Sequence, residues 1–206
     1  MEKFVEERLI VRWIGVLHQR TIDNTDTQIT GKTQSLLNEV ENNIDGFPGS
    51  AYEAQRVADF AEADDVTQVT IEPAPAGTSF DQIDLRVSTQ GEAGDTYIEL
   101  KRAQTEERNA VEVADKFEAS NNKFRRPEAD EMINFNEDTT KVEIDARAGF
   151  KEDVTIDDIK SDLETKLDGI GNNDVKIQEV VISMPDSFDE EKLVGIISNG
   201  EFEWET

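Results

Sequence analysis

Apolar residues recur at three- and four-residue steps near the start of the chain. Phe4, Val5, Leu9, Trp13, Val16 and Leu17 share one face and predict a helix over 2–19. Residues 21–34 are polar and predict a loop. Leu36, Leu37, Val40 and Ile44 predict a second amphipathic helix, stopped by the breakers Gly46, Pro48 and Gly49. Ser50 and Glu53 have capping-box spacing and open a third helix, with Tyr52, Val57 and Phe60 on its apolar face. The period then shortens to two. Residues 66–71 alternate and stop before Pro73 and Pro75; Ile83, Leu85 and Val87 alternate with Asp84 and Arg86; beyond a Gly91/Gly94 turn, Ile98 and Leu100 alternate with Tyr97, Glu99 and Lys101. Three such runs with short connections predict an antiparallel meander.

The second half mixes both periods. Val111, Val113, Ala114 and Phe117 predict a helix over 106–119, and 120–140 has no dominant period. Val142 and Ile144 predict a short strand. Thr155 caps a helix through Ile156, Ile159, Leu163 and Leu167, closed by Gly169 and Gly171. Residues 175–183 predict a strand. Ser187 and Glu190 repeat the capping-box spacing and predict a helix carrying Leu193, Val194 and Ile197, with a last short strand at Phe202 and Trp204. This succession predicts an α/β fold: a mixed β-sheet flanked by helices. The breaker cluster divides a helical N-terminal extension, residues 1–48, from an α/β domain, residues 49–206.

Composition narrows the function. A chain of 206 residues is one domain with room for a small appendage. The absence of cysteine excludes disulfides, thiolate zinc sites and a thiol nucleophile, and a single histidine, His18, excludes a multi-histidine metal site. No apolar run reaches membrane-spanning length, and Glu2, Glu6 and Glu7 are unlike a signal peptide, so the cytoplasm is the expected location. Asp and Glu number 47 against 21 Lys and Arg, a net charge of −26. The carboxylates run from Glu2 to Glu205 instead of forming a tail, which resembles the proteins of salt-accumulating archaea and their viruses; a virion is then the other expected location.

One constellation carries chemistry. If Ile83, Leu85 and Val87 face the core, Asp84 faces away; if Ile98 and Leu100 face the core, Glu99 and Lys101 share the face of Asp84. Pairing of the two strands brings these three together, and Glu53 lies on the preceding helix. Mg²⁺ or Mn²⁺ takes hard oxygen ligands and retains waters, so two carboxylates suffice to hold it beside a phosphate. An adjacent lysine can orient the attacking water. The order helix-Glu53, Asp84, Glu99-Leu100-Lys101 resembles the PD-(D/E)xK, or restriction-endonuclease-like, nuclease superfamily, and within it the archaeal Holliday junction resolvases. The resemblance covers residues 50–102 in motif. It implies a restriction-endonuclease-like sheet and metal-dependent hydrolysis of DNA, with branched DNA as one substrate form. It also implies Asp84, Glu99 and the Leu100 carbonyl as metal ligands, Lys101 on the water, and Glu53 in support.

Acid-x-lysine also occurs at Asp158/Lys160, Glu164/Lys166, Asp174/Lys176 and Glu190/Lys192, but only Glu99/Lys101 follows an aspartate strand. Capping alone would account for Glu53, and an exposed salt-bridged strand would account for Glu99 and Lys101. Asp81 is a rival for the metal aspartate. Residues 101–126 hold seven basic side chains against five acidic ones: Lys101, Arg102, Arg108, Lys116, Lys123, Arg125 and Arg126. In so acidic a chain this local reversal is the expected phosphate-contacting surface. A homodimer is one arrangement that would grip DNA. The alternative class is a non-catalytic structural or interaction protein: a virion or assembly component, or an acidic module that mimics nucleic acid.

Overall fold

The computed structural model describes residues 27–42, 48–74, 83–102, 108–171 and 174–205. The expected helix over 2–19, the end of the second helix at Ile44 and Asp81 lie outside them. Eight strands form one mixed sheet in sequence order: β1 (Gln28–Gly31), β2 (Val66–Ile71), β3 (Leu85–Thr89), β4 (Thr96–Arg102), β5 (Thr139–Asp145), β6 (Glu179–Ser183), β7 (Lys192–Ser198) and β8 (Glu201–Trp204). Strands β2, β3 and β4 are the predicted antiparallel meander. Strands β4, β5 and β6 run parallel, so their connections must cross over, and they do so through helices. Helices α3 (Ala110–Phe124) and α4 (Pro127–Met132) link β4 to β5, and α5 (Ile156–Ile170) links β5 to β6. At the other end, α1 (Thr33–Asn42) and α2 (Pro48–Glu62) connect β1 to its parallel neighbour β2.

The helices cover opposite halves of the two faces. Leu36, Leu37 and Val40 of α1 and Tyr52 and Val57 of α2 pack on Val69, Ile71, Leu85, Val87, Ile98 and Leu100. On the other face, Val113, Phe117 and Phe124 of α3 and Ile159, Leu163 and Leu167 of α5 pack on Tyr97, Val142, Ile144, Val180 and Ile182. Strand β4 carries apolar residues of both clusters, and its Tyr97, Ile98, Glu99 and Leu100 are all buried. A carboxylate, Glu99, therefore lies in an enclosed central strand. Residues 28–42 belong to the sheet and to the first apolar cluster, so β1 and α1 share a core with α2.

Four expectations are corrected. The loop over 21–34 contains β1, whose four residues offer too few alternations to read. It is held by parallel pairing with β2 and by a 3.0 Å contact between the Thr30 and Thr70 hydroxyls. It ends at Gly31, where φ is 84° and a Cβ would collide with the Ile71 carbonyl oxygen. The helix expected over 187–197 is instead β7, antiparallel to both β6 and β8. Its β-branched run suits a strand, and Gly195 lies beneath the Phe202 and Trp204 rings, which stack at 4.7 Å. The strand expected over 175–183 is regular only from Glu179. The helix expected over 106–119 is α3, which starts at Ala110 after the capping pair Asn109/Glu112 and runs on to Phe124. By contrast, Thr155 does cap α5, accepting from the Asp158 amide at 3.2 Å while Asp158 accepts from the Thr155 amide at 2.9 Å.

Candidate functional site

The site arises from unequal strand lengths. Pairing of β3 with β4 begins at Leu85 opposite Ile98, whereas β4 continues to Arg102. The β3-facing edge of β4 is therefore open beyond Ile98. Asp84, the residue just before β3, fills the gap, and its Oδ2 accepts a 2.7 Å hydrogen bond from the Leu100 amide. A strand residue presents its N–H and C=O to the same side, so the Leu100 carbonyl faces this gap too. Asp84 thus sits at the strand end in the plane of the sheet. Ile83 leaves the face of Leu85 and Val87 and joins the α3–α5 cluster, against the simple alternation expected.

Glu99 points under α3 and is fully buried. Its Oε1 accepts from the Lys101 ammonium on the same strand face and, at 2.6 Å, from Lys123 Nζ on α3. Lys123 Nζ also lies 4.0 Å from Asp84 Oδ1. One ammonium thus bridges the two carboxylates that the sequence singled out. Lys123 belongs to the expected DNA-contacting set, but it turns inward to this pair. No spacing rule points to it, because its part depends on where α3 crosses β4.

The capping explanation of Glu53 does not hold. Helix α2 begins at Pro48, so Ser50 lies inside its first turn, and the Ser50 hydroxyl donates to Glu39 Oε2 at 2.9 Å. Glu53 Oε1 and Glu99 Oε2 are both buried with no hydrogen-bond partner among the described residues. Burial, then the neighbouring Asp84, Glu72, Glu39 and Glu99 carboxylates, push the Glu53 carboxyl up to about 9. Burial followed by Glu99 raises Asp84 to about 7, with Lys123, Lys101 and the Leu100 amide pulling the other way. Such crowding is unfavourable unless a proton or a further cation joins the carboxylates.

These donors fit a hard divalent cation. Asp84, Glu99 and the Leu100 carbonyl offer oxygen donors, and two buried carboxylate oxygens, of Glu53 and Glu99, have no hydrogen-bond partner among the described residues. Among the described residues no group of three or more His, Cys, Asp or Glu side chains is placed to hold a metal ion, so the protein would supply only two carboxylates and a carbonyl. Water would fill the remaining positions, as Mg²⁺ prefers.

The expected basic surface separates into individual roles. Arg108 is fully buried, with its guanidinium 5.3 Å from the Phe150 ring, so it braces the core and offers nothing to DNA. Arg102 lies 3.5 Å from Asp145 and Arg125 lies 3.2 Å from Asp174. Lys116 is half-buried and Arg126 exposed. The sequence reading also missed a network on the far face of β5. Arg56 grips Glu143 through two hydrogen bonds of 2.6 and 3.0 Å, and both line a polar cleft of about 430 Å³ with Tyr52, Lys141 and Arg147. Its signal was present as Glu143 and Asp145 alternating with Val142 and Ile144.

The raised carboxyls set a pH dependence for the metal-free protein. A carboxyl that holds its proton more tightly when folded adds stability that is present below the ordinary carboxylate range and lost as pH rises through the folded value. Melting temperature should therefore fall through about 7 and about 9, the values for Asp84 and Glu53. Thermal unfolding in chelator and high salt should show a drop of at least ~10 °C between pH about 5 and about 9. Glu53→Gln, neutral throughout, should flatten most of that slope; an unchanged slope would mean that Glu53 is ionised in the folded protein. Among the described residues, no helix is long and apolar enough to cross a membrane. Comparison with protein-family models, with curated proteins and with solved structures returns no match.

Proposed function

We propose that the chain is a metal-dependent endonuclease that hydrolyses phosphodiester bonds in DNA, on a restriction-endonuclease-like sheet, in the manner of the PD-(D/E)xK resemblance. The observation that carries this reading is the convergence at one strand gap of Asp84, from just before β3, with Glu99 and Lys101 of β4, Lys123 lying against both carboxylates; Glu53 of α2 feels the charge of Asp84 and Glu99. The helix, strand and strand arrive in the order helix-Glu, Asp, Glu-x-Lys. Two buried carboxylate oxygens, of Glu53 and Glu99, with no partner among the described residues support cation binding here.

Asp84, Glu99 and the Leu100 carbonyl would hold Mg²⁺ or Mn²⁺. The metal, when bound, lowers the pKa of a water and offsets charge developing on the phosphate. Lys101, paired to Glu99, would orient the nucleophilic water. Glu53, whose carboxyl is pushed up to about 9 and so carries a proton near neutral pH, could donate that proton to the leaving oxygen. The enclosure of Glu99 beneath α3 keeps bulk water from competing for these contacts.

The wild-type protein, assayed in molar KCl with Mg²⁺ or Mn²⁺, should nick supercoiled and four-way-junction DNA and should lose that activity in chelator. A homodimer, a high-salt cytoplasm and, for a viral protein, the virion belong to the same proposal. The second reading, a non-catalytic assembly or interaction protein, draws on the two ammonium groups on Glu99, which offset its charge without any metal. Absence of cleavage on every DNA form would favour it.

A further inference from the structure

We propose that Lys123 is an internal counter-cation that occupies the metal position in the metal-free protein and must withdraw when the divalent ion binds. The inference rests on the metal-site reading above and goes beyond it by assigning a residue outside the Asp84/Glu99-x-Lys101 pattern.

Three observations carry it. Lys123 Nζ lies 2.6 Å from Glu99 Oε1 and 4.0 Å from Asp84 Oδ1, the two carboxylates that would ligate the ion. A single positive charge between two carboxylates is the arrangement that a divalent cation would replace. Lys101 already donates to the same Glu99 oxygen from β4, so this oxygen has two ammonium donors while Glu99 Oε2 has no hydrogen-bond partner among the described residues. Finally, Lys123 lies in the last turn of α3 with about a fifth of its side chain exposed, next to exposed Asn122 and Arg125. A four-carbon stem at a helix end can swing its ammonium to solvent without moving the helix. Lys101 donates to Glu99 from the same strand, so Glu99 keeps an ammonium partner when Lys123 turns outward.

The consequence is competition. Metal-free, the ammonium offsets the buried charge of Glu99 and keeps the site formed. Metal-bound, the ion takes over Glu99 and Asp84, and Lys123 becomes solvent-accessible. Lys123 thereby lowers the affinity of the site for metal.

Two measurements test this, and neither needs turnover. Mn²⁺ binding to the full chain, followed by electron paramagnetic resonance at high salt, should tighten by about 10- to 100-fold in Lys123→Met, the range that a charge-assisted hydrogen bond spans. In wild type, acylation of surface amines mapped by mass spectrometry should show Lys123 protected without metal and reactive once Mn²⁺ saturates, while Lys151, which is exposed and remote in sequence, stays constant. The second measurement stands if the Met variant does not fold. Equal Mn²⁺ affinity in the two proteins, or constant Lys123 reactivity across a saturating titration, overturns the counter-cation role and leaves the metal site intact. Absence of Mn²⁺ binding in both proteins overturns the metal site and this inference with it.

Discussion

Asp84→Asn and Lys101→Ala should each lower DNA cleavage by at least ~10²-fold while the protein remains folded, the scale of loss when one preorganised electrostatic contact is removed from a reacting centre. The Asn variant keeps the volume and an acceptor oxygen at Asp84, so the Leu100 amide still finds a partner at the strand gap. What disappears is the negative charge that would hold a divalent ion. Because burial and Glu99 already raise this carboxyl, removing its charge relieves repulsion, and the metal-free variant should melt no lower than wild type.

Lys101 is different. The sequence suggests an exposed lysine of little structural worth, but four-fifths of its side chain is buried and it donates to a fully buried carboxylate. Its loss should lower stability, because Glu99 keeps only Lys123 as an ammonium partner. Rates must therefore be compared below the melting range of the variant, with circular dichroism on the same samples. Lys151→Ala, an exposed lysine outside the site, should cleave like wild type. Equal rates for Asp84→Asn, Lys101→Ala and wild type would remove the site from the chemistry.

The parts of this fold legible in the sequence were those with several periods of one pattern. The alternating Ile98, Leu100 and Tyr97, Glu99, Lys101 read as a strand, and β4 is one. Ile156, Ile159, Leu163 and Leu167 at helical steps, with Thr155 before and Gly171 after, gave α5 and both its ends. Short or coincident signals misled. Ser187 and Glu190 have capping-box letters, yet no helix follows, because Leu193 to Ile197 alternate between the covered and open faces of β7. Ser50 and Glu53 have the same letters inside a helix that has already begun at Pro48. A capping box is a statement about backbone geometry, and four letters do not fix it.

For the site, strand alternation put Glu99 and Lys101 on one face. Asp84 comes near for another reason: it lies just before β3, where the expected alternation has already broken at Ile83, and it caps the Leu100 amide at the strand gap. Periodicity could not supply Lys123. That contact depends on α3 crossing β4 in space, a tertiary fact with no local period. Nor could it tell buried basic residues from surface ones. Arg108 and Arg125 lie in the same charged stretch, yet one is fully buried beside Phe150 and the other exposed beside Asp174.

The melting temperature should rise by at least ~10 °C between about 0.1 M and about 1 M KCl, because this range shortens the Debye length from ~10 Å to ~3 Å. Screening weakens attraction as well as repulsion, so the sign depends on which is in excess. With 21 basic side chains against 47 acidic ones, complete pairing would still leave 26 carboxylates facing only like charge. The attractive pairs that matter most are also the least exposed to salt. Glu143 with Arg56 and Glu99 with Lys123 are buried on the carboxylate side and barely screened. The repulsive groups are outside: Asp186, Asp189, Glu190 and Glu191 crowd the exposed turn between β6 and β7. Salt should therefore remove more repulsion than attraction. Screening is nearly complete once the Debye length falls below the spacing of neighbouring side chains, so the rise should level off near 1 M. Stabilisation by exclusion of salt from apolar surface behaves otherwise: it continues to climb and is larger in sulfate than in chloride. A curve that saturates in KCl identifies carboxylate repulsion as the force being relieved, and a flat curve would mean that the acidic surface is tolerated at low salt and is there for a cationic partner.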